Sequence, residues 1–230
     1  MSLLFAVPPA ATIPVAGQDV RCGIGRIFCV GRNYAEHVRE MGGDPARGTP
    51  IFFDKSPSCL VEDGARIAYP PATLDLHHEI ELGVVLSEGG RDVSEADAAR
   101  LIAGYTVALD MTRRDLQAAA KKGGKPWDMA KSFDHAAPCS MLIPMPGVAL
   151  EQGAITLDVN GERRQTGDLA QMIWSVSETI ASLSKLLALM PGDMLLTGTP
   201  SGVGPVAPGD SLHGAIEGVG TLSVSYAEAV

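Results

Sequence analysis

Two glutamates separated by one residue, Glu79 and Glu81, are the strongest chemical signal in the sequence. The apolar residues 82–86 follow them and predict a buried strand. Residues two apart on a strand face the same side, so the two carboxylates lie together, where they repel each other unless a cation lies between them. Oxygen ligands of this kind favour Mg²⁺, Mn²⁺ or Ca²⁺ over zinc. Asp110, expected where a strand meets a helix, is a natural third ligand, although alone it would be an N-cap.

A second pair of residues, His37 and Glu40, lies one helical turn apart in a short predicted helix. Asn33 is the expected N-cap of this helix, with Glu36 three residues later, and the glycines at 42–43 end it. A histidine oriented by a carboxylate can act as a general base that activates water. A surface ion pair fits the same spacing equally well.

Asp110, Arg114 and Gln117 are spaced to share one face of a helix predicted over residues 111–122. Arg114 could bind a substrate carboxylate through two hydrogen bonds, or it could form a structural ion pair with Asp110. Lys131 stands alone in its segment, and spacing by itself predicts a solvated surface charge there.

Several common catalytic motifs are absent from the sequence. The glycine-rich residues 198–204 lack the Lys-Ser/Thr pair of a phosphate-binding loop, and no Gly-x-Ser-x-Gly motif occurs. The adjacent histidines His77 and His78 have no partners at zinc-binding spacing. The sequence therefore gives no support to nucleotide, flavin or zinc chemistry.

The elements that must position these residues alternate irregularly along the chain. Strands are predicted at 27–30, 50–53, 76–86, 105–109 and 155–159, with a hairpin turn at Asn160-Gly161, and helices at 33–41, 94–103, 111–122 and 175–190. This spacing is unlike that of a doubly wound sheet and favours a strand-rich α+β fold. We expect residues 1–25 to be an irregular lead-in and residues 26–230 to form a single catalytic domain.

Composition narrows the classes of function. The 230 residues carry a net charge of -9 without a basic stripe, which argues against nucleic acid or an anionic membrane as partner. The cysteines at positions 22, 29, 59 and 139 have no metal-binding spacing and indicate free thiols in a reducing cytoplasm. No apolar stretch approaches the roughly 20 residues of a membrane span.

In combination and in this order, the segments resemble the fumarylacetoacetate hydrolase family. The resemblance runs from about Arg26 onward and includes the His37…Glu40 helix. Its other motifs are residues 30–34 (VGRNY), 77–82 (HHEIEL), 109–117 (LDMTRRDLQ), 127–134 (WDMAKSFD) and 196–204 (LTGTPSGVG). The loop at Lys55, with the sequence KSPS, departs from the family pattern.

This resemblance implies a mixed β-roll core with a few helices around it, and a homodimer. It implies one Mg²⁺ or Mn²⁺ per subunit, and it gives each candidate residue a role. Glu79, Glu81 and Asp110 would hold the metal; a lid helix would bring the His37–Glu40 dyad over the site, and Lys131 would position the attacked group or water. The pyruvoyl carboxylate would be held by Arg114, Gln117 and Thr199.

The activity that the resemblance implies is hydrolysis of a carbon–carbon bond in an acylpyruvate. Fumarylpyruvate, cleaved to fumarate and pyruvate as in gentisate-type aromatic catabolism, is the expected substrate. The alternatives are a general acylpyruvase or oxaloacetate decarboxylase on the same site, or a catalytically silent organic-acid-binding member. Fumarylpyruvate has a second carboxylate at its far end, for which Arg113 is a candidate partner, with Arg39 and Lys55 as alternatives.

Overall fold

A computed structural model of the protein describes residues 4–6 and 9–227. Its helices are α1 (Ala35–Glu40), α2 (Glu95–Ala98), α3 (Arg114–Lys122), α4 (Asp128–Lys131) and α5 (Val176–Leu186). Its strands are β1 (Thr12–Pro14), β2 (Arg21–Gly23), β3 (Arg26–Gly31), β4 (Ile51–Lys55), β5 (Leu60–Glu62), β6 (Arg66–Ile67), β7 (Leu76–His78), β8 (Ile80–Leu86), β9 (Ile102–Leu109), β10 (Thr112–Arg113), β11 (Ala137–Cys139), β12 (Ile143–Pro144), β13 (Ala154–Val159), β14 (Glu162–Asp168), β15 (Asp193–Leu196), β16 (Gly204–Val206), β17 (Ser211–Ile216) and β18 (Gly220–Tyr226).

The largest sheet is mixed and curls into a half-barrel, with strand order β4-β3-β15-β8-β9-β11-β5 and β12 paired beside β9. Its centre is β8, in which every residue is buried, as the apolar sequence of 82–86 predicts. A second sheet has the order β14-β13-β17-β18-β6, in which only the pair β18–β6 is parallel. The two sheets approach closely at Gly214, where an added Cβ would lie 2.7 Å from the Ile80 side chain. The strand-rich α+β class is therefore confirmed.

Glu79 lies where the chain passes from one sheet to another. β8 belongs to the large sheet, whereas β7 pairs with β10 and β16 in a separate three-stranded sheet. Because β8 and β9 pair antiparallel with Ile80 opposite Leu109, Asp110 emerges beside Glu79, and its N–H donates to the Glu79 carbonyl over 2.8 Å. The register of one strand pair thus brings these two carboxylates to the same place.

Local patterns give the hairpin and α5 correctly. Asn160 and Gly161 both have positive φ, at 53° and 81°, as the tight hairpin turn between β13 and β14 requires. Helix α5 begins after Ser175, whose side chain forms a capping box with Glu178. It ends at Leu186, however, earlier than the predicted 190.

Several local expectations are wrong. The lead-in is not irregular throughout, since β1 and β2 form an antiparallel pair within it. Asp110 does not begin a helix, because residues 112–113 pair with β7 and the helix starts at Arg114. Asn33 is not the N-cap of α1, which is Tyr34; the Asn33 side chain instead bonds to the backbone of Trp174 and Thr197.

Within residues 4–6 and 9–227, no helix is both long and apolar enough to cross a membrane.

Candidate active site

A narrow cleft opens at the junction of β3, β8, α1 and α3. Its walls contain nearly all the side chains that the sequence marks as candidates. Those lining it are His37, Glu79, Glu81, Asp110, Arg114, Gln117, Lys131 and Thr199. Glu40, the remaining candidate, lies behind His37.

The floor of the cleft is a buried cluster of carboxylates. One oxygen from each of Glu79, Glu81 and Asp110 lies within 4.8 Å of the others, and all three residues are buried. Burial and the nearby charges of Asp110 and Glu79 raise the pKa of Glu81 well above its ordinary value. The Glu81 carboxylate accepts a hydrogen bond from the Gly198 N–H at 2.7 Å. Such a cluster is unfavourable unless a cation compensates it.

Lys131 is one of the cations that compensate this cluster. Its ammonium nitrogen lies 2.8 Å from Glu79 Oε2, 2.6 Å from Asp110 Oδ2 and 2.6 Å from the Thr112 hydroxyl. Burial favours the neutral amine, but the charges of Asp110 and Glu79 prevail and raise the pKa of Lys131. Lys131 is 2% exposed, so the solvated surface charge that spacing alone predicts is wrong.

Lys55 is the second buried cation, and the sequence did not define its role. Its ammonium nitrogen lies 2.8 Å from Asp110 Oδ1 and donates to the backbone carbonyls of Met111 and Lys131. Among the described residues, Asp110 Oδ1 accepts no well-directed hydrogen bond. Lys55 therefore supports Asp110 from beneath the cleft.

Arg114 is the third cation, and its partner differs from the one that the sequence suggested. It pairs with Glu79 rather than Asp110, and its Nη1 donates to Gln117 Oε1 over 2.6 Å. Its Nε donates to His77 Nδ1 at 3.4 Å, and His77 Nε2 in turn lies 2.9 Å from Asp75. The expectation that Asp110 shares a helical face with Arg114 and Gln117 is wrong, because Asp110 precedes the helix.

His37 and Glu40 form a contact within α1. His37 Nδ1 lies 3.3 Å from Glu40 Oε2, and the other carboxylate oxygen accepts the Gly202 N–H at 3.0 Å. Glu40 thus joins α1 to the loop that carries Thr199. With Nδ1 directed at Glu40, the second ring nitrogen of His37 is left for the cleft, the arrangement a general base needs.

Gln165 is a buried residue near the site that sequence reasoning missed. It comes from β14, and its Oε1 accepts from the Ile80 N–H at 3.1 Å and lies 3.0 Å from His78 Nδ1. Its Nε2 donates to Thr199 Oγ1 at 2.8 Å and to the Pro200 carbonyl at 2.9 Å. In the sequence it is one polar residue among others in the hairpin, so no local signal marks it.

The three candidate partners for a distal carboxylate are not among the residues that line the cleft. Arg113 packs over the Phe133 ring at 4.3 Å, and Arg39 pairs with Glu36 on the exposed face of α1. Lys55 lies beneath Asp110. The cations that do line the cleft beside Arg114 and Lys131 are Arg32 and Lys121.

A half-barrel sheet with a carboxylate cluster beside a His–Glu pair agrees with the family resemblance of the sequence. The family model for the fumarylacetoacetate (FAA) hydrolase C-terminal domain matches residues 26–225. The chain therefore belongs to the fumarylacetoacetate hydrolase family.

Individual relatives are similar over most of their length. A fumarylpyruvate hydrolase from a Ralstonia species is 48% identical over 179 residues, which cover 78% of this chain and 93% of that protein. Human mitochondrial oxaloacetate tautomerase FAHD1 is 43% identical over 198 residues, covering 86% of this chain and 89% of that one. The crystal structure of fumarylpyruvate hydrolase from Pseudomonas aeruginosa in complex with Mn²⁺ and pyruvate has a TM-score of 0.96 and 43% identity, covering 99% of this chain and 100% of that one.

Proposed function

We propose that this protein is a divalent-metal-dependent hydrolase that cleaves a carbon–carbon bond in acylpyruvates, with fumarylpyruvate as the preferred substrate and fumarate and pyruvate as products. The observation that carries the proposal is the buried cluster of Glu79, Glu81 and Asp110 in one cleft with His37. The 48% identity to a fumarylpyruvate hydrolase supports the choice of substrate.

The residues on the cleft floor fit a divalent cation. Three buried carboxylates offer oxygen ligands only, and Asp110 Oδ1, although it lies 2.8 Å from Lys55 Nζ, accepts no well-directed hydrogen bond among the described residues. Mg²⁺ and Mn²⁺ prefer such a donor set, and the related Pseudomonas structure contains Mn²⁺. When bound, the metal would polarise the keto oxygen of the substrate and favour negative charge there.

Arg114, Gln117 and Thr199 are proposed to hold the pyruvoyl carboxylate. Arg114 has a rigid set of N–H donors suited to a carboxylate, and its bonds to Glu79 and Gln117 fix its orientation. Because the Thr199 hydroxyl oxygen accepts a hydrogen bond from Gln165, its own hydrogen is available to donate to a ligand.

His37, oriented by Glu40, is proposed to take a proton from water. The hydroxide oxygen then bonds to the C4 carbonyl carbon of the substrate. When the resulting oxyanion reforms its carbonyl, the bond between C3 and C4 breaks, and the electron pair moves into a pyruvate enolate. Proton uptake at C3 completes pyruvate. Lys131, whose ammonium group bonds to Glu79 and Asp110, is proposed to position the attacked group or water.

We place the enzyme in gentisate-type aromatic catabolism in the cytoplasm, acting as a homodimer with one Mg²⁺ or Mn²⁺ per subunit. The four cysteines of the sequence are free thiols in the structure, in agreement with a reducing compartment.

Action on oxaloacetate is a second candidate function, favoured by the 43% identity to human oxaloacetate tautomerase FAHD1. Oxaloacetate carries the same carboxylate and 2-keto groups as an acylpyruvate, so Arg114 and the carboxylate cluster could bind it in the same way. Tautomerisation or decarboxylation of oxaloacetate would also pass through an enolate that the site stabilises, but neither reaction requires attack by water.

The test is a steady-state comparison of fumarylpyruvate, acetylpyruvate and oxaloacetate with the Mg²⁺- and Mn²⁺-loaded enzyme and after removal of metal with EDTA. We expect the highest kcat/KM for fumarylpyruvate and no turnover in the metal-free enzyme. Faster conversion of oxaloacetate would favour the second candidate. Turnover of none of the three by the metal-loaded enzyme would reject both activities and leave a binding protein.

A further inference from the structure

Two cations at the mouth of the cleft, Arg32 and Lys121, are not used by the proposed chemistry. Both side chains line the same cleft as the carboxylate cluster and both reach solvent. Within residues 4–6 and 9–227, neither forms an ion pair or a side-chain hydrogen bond with a protein group. Most exposed Lys and Arg side chains are simply solvated, so it is the position of these two in the cleft, and not their exposure, that indicates a binding role.

Lys121 belongs to the face of α3 that carries the proposed pyruvoyl-binding residues. Arg114, Gln117 and Lys121 are three and then four residues apart, so they follow one another along one side of the helix. Arg114 and Gln117, at its inner end, are buried, whereas Lys121 is at its outer end. The helix therefore runs from the floor of the cleft to its mouth.

Arg32 reaches the same place from the end of β3. Its backbone has a φ of 61°, a left-handed conformation that a non-glycine residue seldom adopts, and this turns the chain away from the strand direction. The charge of Arg32 acts on Lys121. Partial burial lowers the pKa of Lys121, and the positive charges of Arg114 and Arg32 lower it further. Arg32 and Lys121 line the same cleft, and Lys121 also lies over the Trp127 ring at 5.4 Å. Because neither has an anionic partner among the described residues, the two cations suit an anion.

We propose that Arg32 and Lys121 form a second carboxylate-binding subsite, which selects acylpyruvates that end in a carboxylate at the far end from the pyruvoyl group. This inference rests on the proposed function, because it assumes that Arg114 binds the pyruvoyl carboxylate. Substrates with an uncharged acyl group would leave the subsite solvated.

The length of the helix face agrees with this class of substrate. Seven residues of α-helix separate Arg114 from Lys121, a distance of about 10 Å along the axis. The two carboxyl carbons of an extended seven-carbon 2-oxo dicarboxylate lie roughly 7.5 Å apart, since each of the six bonds of a staggered chain advances about 1.25 Å. The flexible Lys121 side chain can cover the difference. A four-carbon acid such as oxaloacetate is too short to reach both ends.

The test measures binding rather than turnover, with two ligands that have no 4-keto group and so cannot be cleaved. 2-Oxoheptanedioate has both terminal carboxylates, and 2-oxoheptanoate has the same chain length without the distal one. Calorimetric titration of each into the Mg²⁺-loaded enzyme gives a ratio of dissociation constants. We expect the wild type to bind the dicarboxylate at least tenfold more tightly.

Lys121→Met and Arg32→Gln should each reduce this ratio by roughly two- to fivefold, the effect of losing one solvent-accessible charge pair. Lys122→Met is the matched control, since Lys122 is the exposed neighbour that does not line the cleft, and it should keep the wild-type ratio. A wild-type ratio near one, or a ratio unchanged in either cleft variant, would overturn the subsite.

Failure of the subsite and failure of the proposed function give different results. An enzyme that cleaves acylpyruvates but binds the two probes equally retains its function and lacks the subsite. The opposite result is also possible: the protein cleaves neither fumarylpyruvate nor acetylpyruvate, yet it shows the expected ratio of dissociation constants and loses it in both variants. In that case the subsite exists, but it serves an activity other than the proposed one.

Discussion

The side-chain amide of Gln165 donates a hydrogen bond to the Thr199 hydroxyl over 2.8 Å, and its carbonyl oxygen accepts one from the Ile80 N–H over 3.1 Å. One buried residue from the β13–β14 hairpin therefore fixes both the start of β8, next to Glu79, and the loop proposed to bind the pyruvoyl carboxylate. Gln165 is fully buried, so each of these hydrogen bonds is sheltered from water.

Replacing Gln165 with Met should disturb binding more than chemistry. The variant keeps the volume but leaves buried donors and acceptors unsatisfied, at a cost of about 1–3 kcal/mol in the free energy of unfolding. We expect KM for fumarylpyruvate to rise severalfold with a smaller change in kcat, because Thr199 loses its orientation. Arg164→Met, at the exposed neighbouring position, is the control for stability and KM. Equal KM values in both variants would contradict this role.

Replacing Glu81 with Gln should separate metal binding from folding. The substitution removes a carboxyl group whose ionisation is opposed by burial and by the charges of Asp110 and Glu79, so the metal-free protein should be at least as stable as the wild type in denaturant. Mn²⁺ binding, followed by calorimetry, should be lost because one of three ligands is gone. Glu88→Gln, on the surface, should bind Mn²⁺ normally. Wild-type Mn²⁺ affinity in the Glu81 variant would remove this residue from the metal site.

Replacing His37 with Ala should lower kcat by a factor of about 10²–10⁴, the usual contribution of a general base. Mn²⁺ affinity should stay the same, because His37 is not among the carboxylates of the cluster. Arg39→Ala on the exposed face of the same short helix serves as the control and should retain activity. If the His37 variant retained the wild-type kcat, the contact with Glu40 would be a surface ion pair.

The capping box of α5 should make stability depend on pH through Glu178. Partial burial opposes ionisation, but hydrogen bonds from the Ser175 N–H and Arg47 prevail and hold the pKa of Glu178 below its ordinary value. Its charge therefore contributes stability above the pKa of the unfolded chain, and this contribution is lost as pH falls through the folded pKa.

Glu178→Gln keeps a capping residue and removes only the charge. We expect it to cost about 0.2–1 kcal/mol at pH 7 in urea unfolding, and the difference from the wild type should vanish at acidic pH. Glu162→Gln, at the exposed start of β14, is the control. A difference that persists unchanged at low pH would show that the side chain acts through its shape.

The sequence predicts the carboxylate cluster well because its cause is local. Glu79 and Glu81 are two residues apart at the start of the buried strand β8, and Asp110 directly follows β9, the strand that pairs with β8. The hairpin at residues 160–161 and the start of α5 are also local, since turn and capping chemistry involve neighbouring residues only. These elements follow from periodicity and from the preferences of single residues.

What the sequence does not predict depends on partners far along the chain. Lys131 can be buried because it forms an ion pair with Glu79, which lies 52 residues away in the sequence. Gln165 accepts a hydrogen bond from the Ile80 N–H, 85 residues away. Asn33 has the sequence pattern of an N-cap but bonds to Trp174 and Thr197 instead. Helix α3 starts late because residues 112–113 pair with β7.

Three buried cations, Lys55, Lys131 and Arg114, accompany the three carboxylates of Glu79, Glu81 and Asp110 beneath the cleft. A divalent ion bound at these carboxylates would add two positive charges beside Arg114, where the pyruvoyl carboxylate is proposed to bind, while the distal carboxylate would meet Arg32 and Lys121. We therefore expect an ordered cycle in which the metal binds first and the dianion second, with weak binding of the dianion to the metal-free protein. After cleavage, the two carboxylates of the substrate belong to two separate acids, and each acid is bound by fewer contacts than the intact dianion. Both products should therefore dissociate more readily, which leaves the metal-loaded enzyme ready for another turnover.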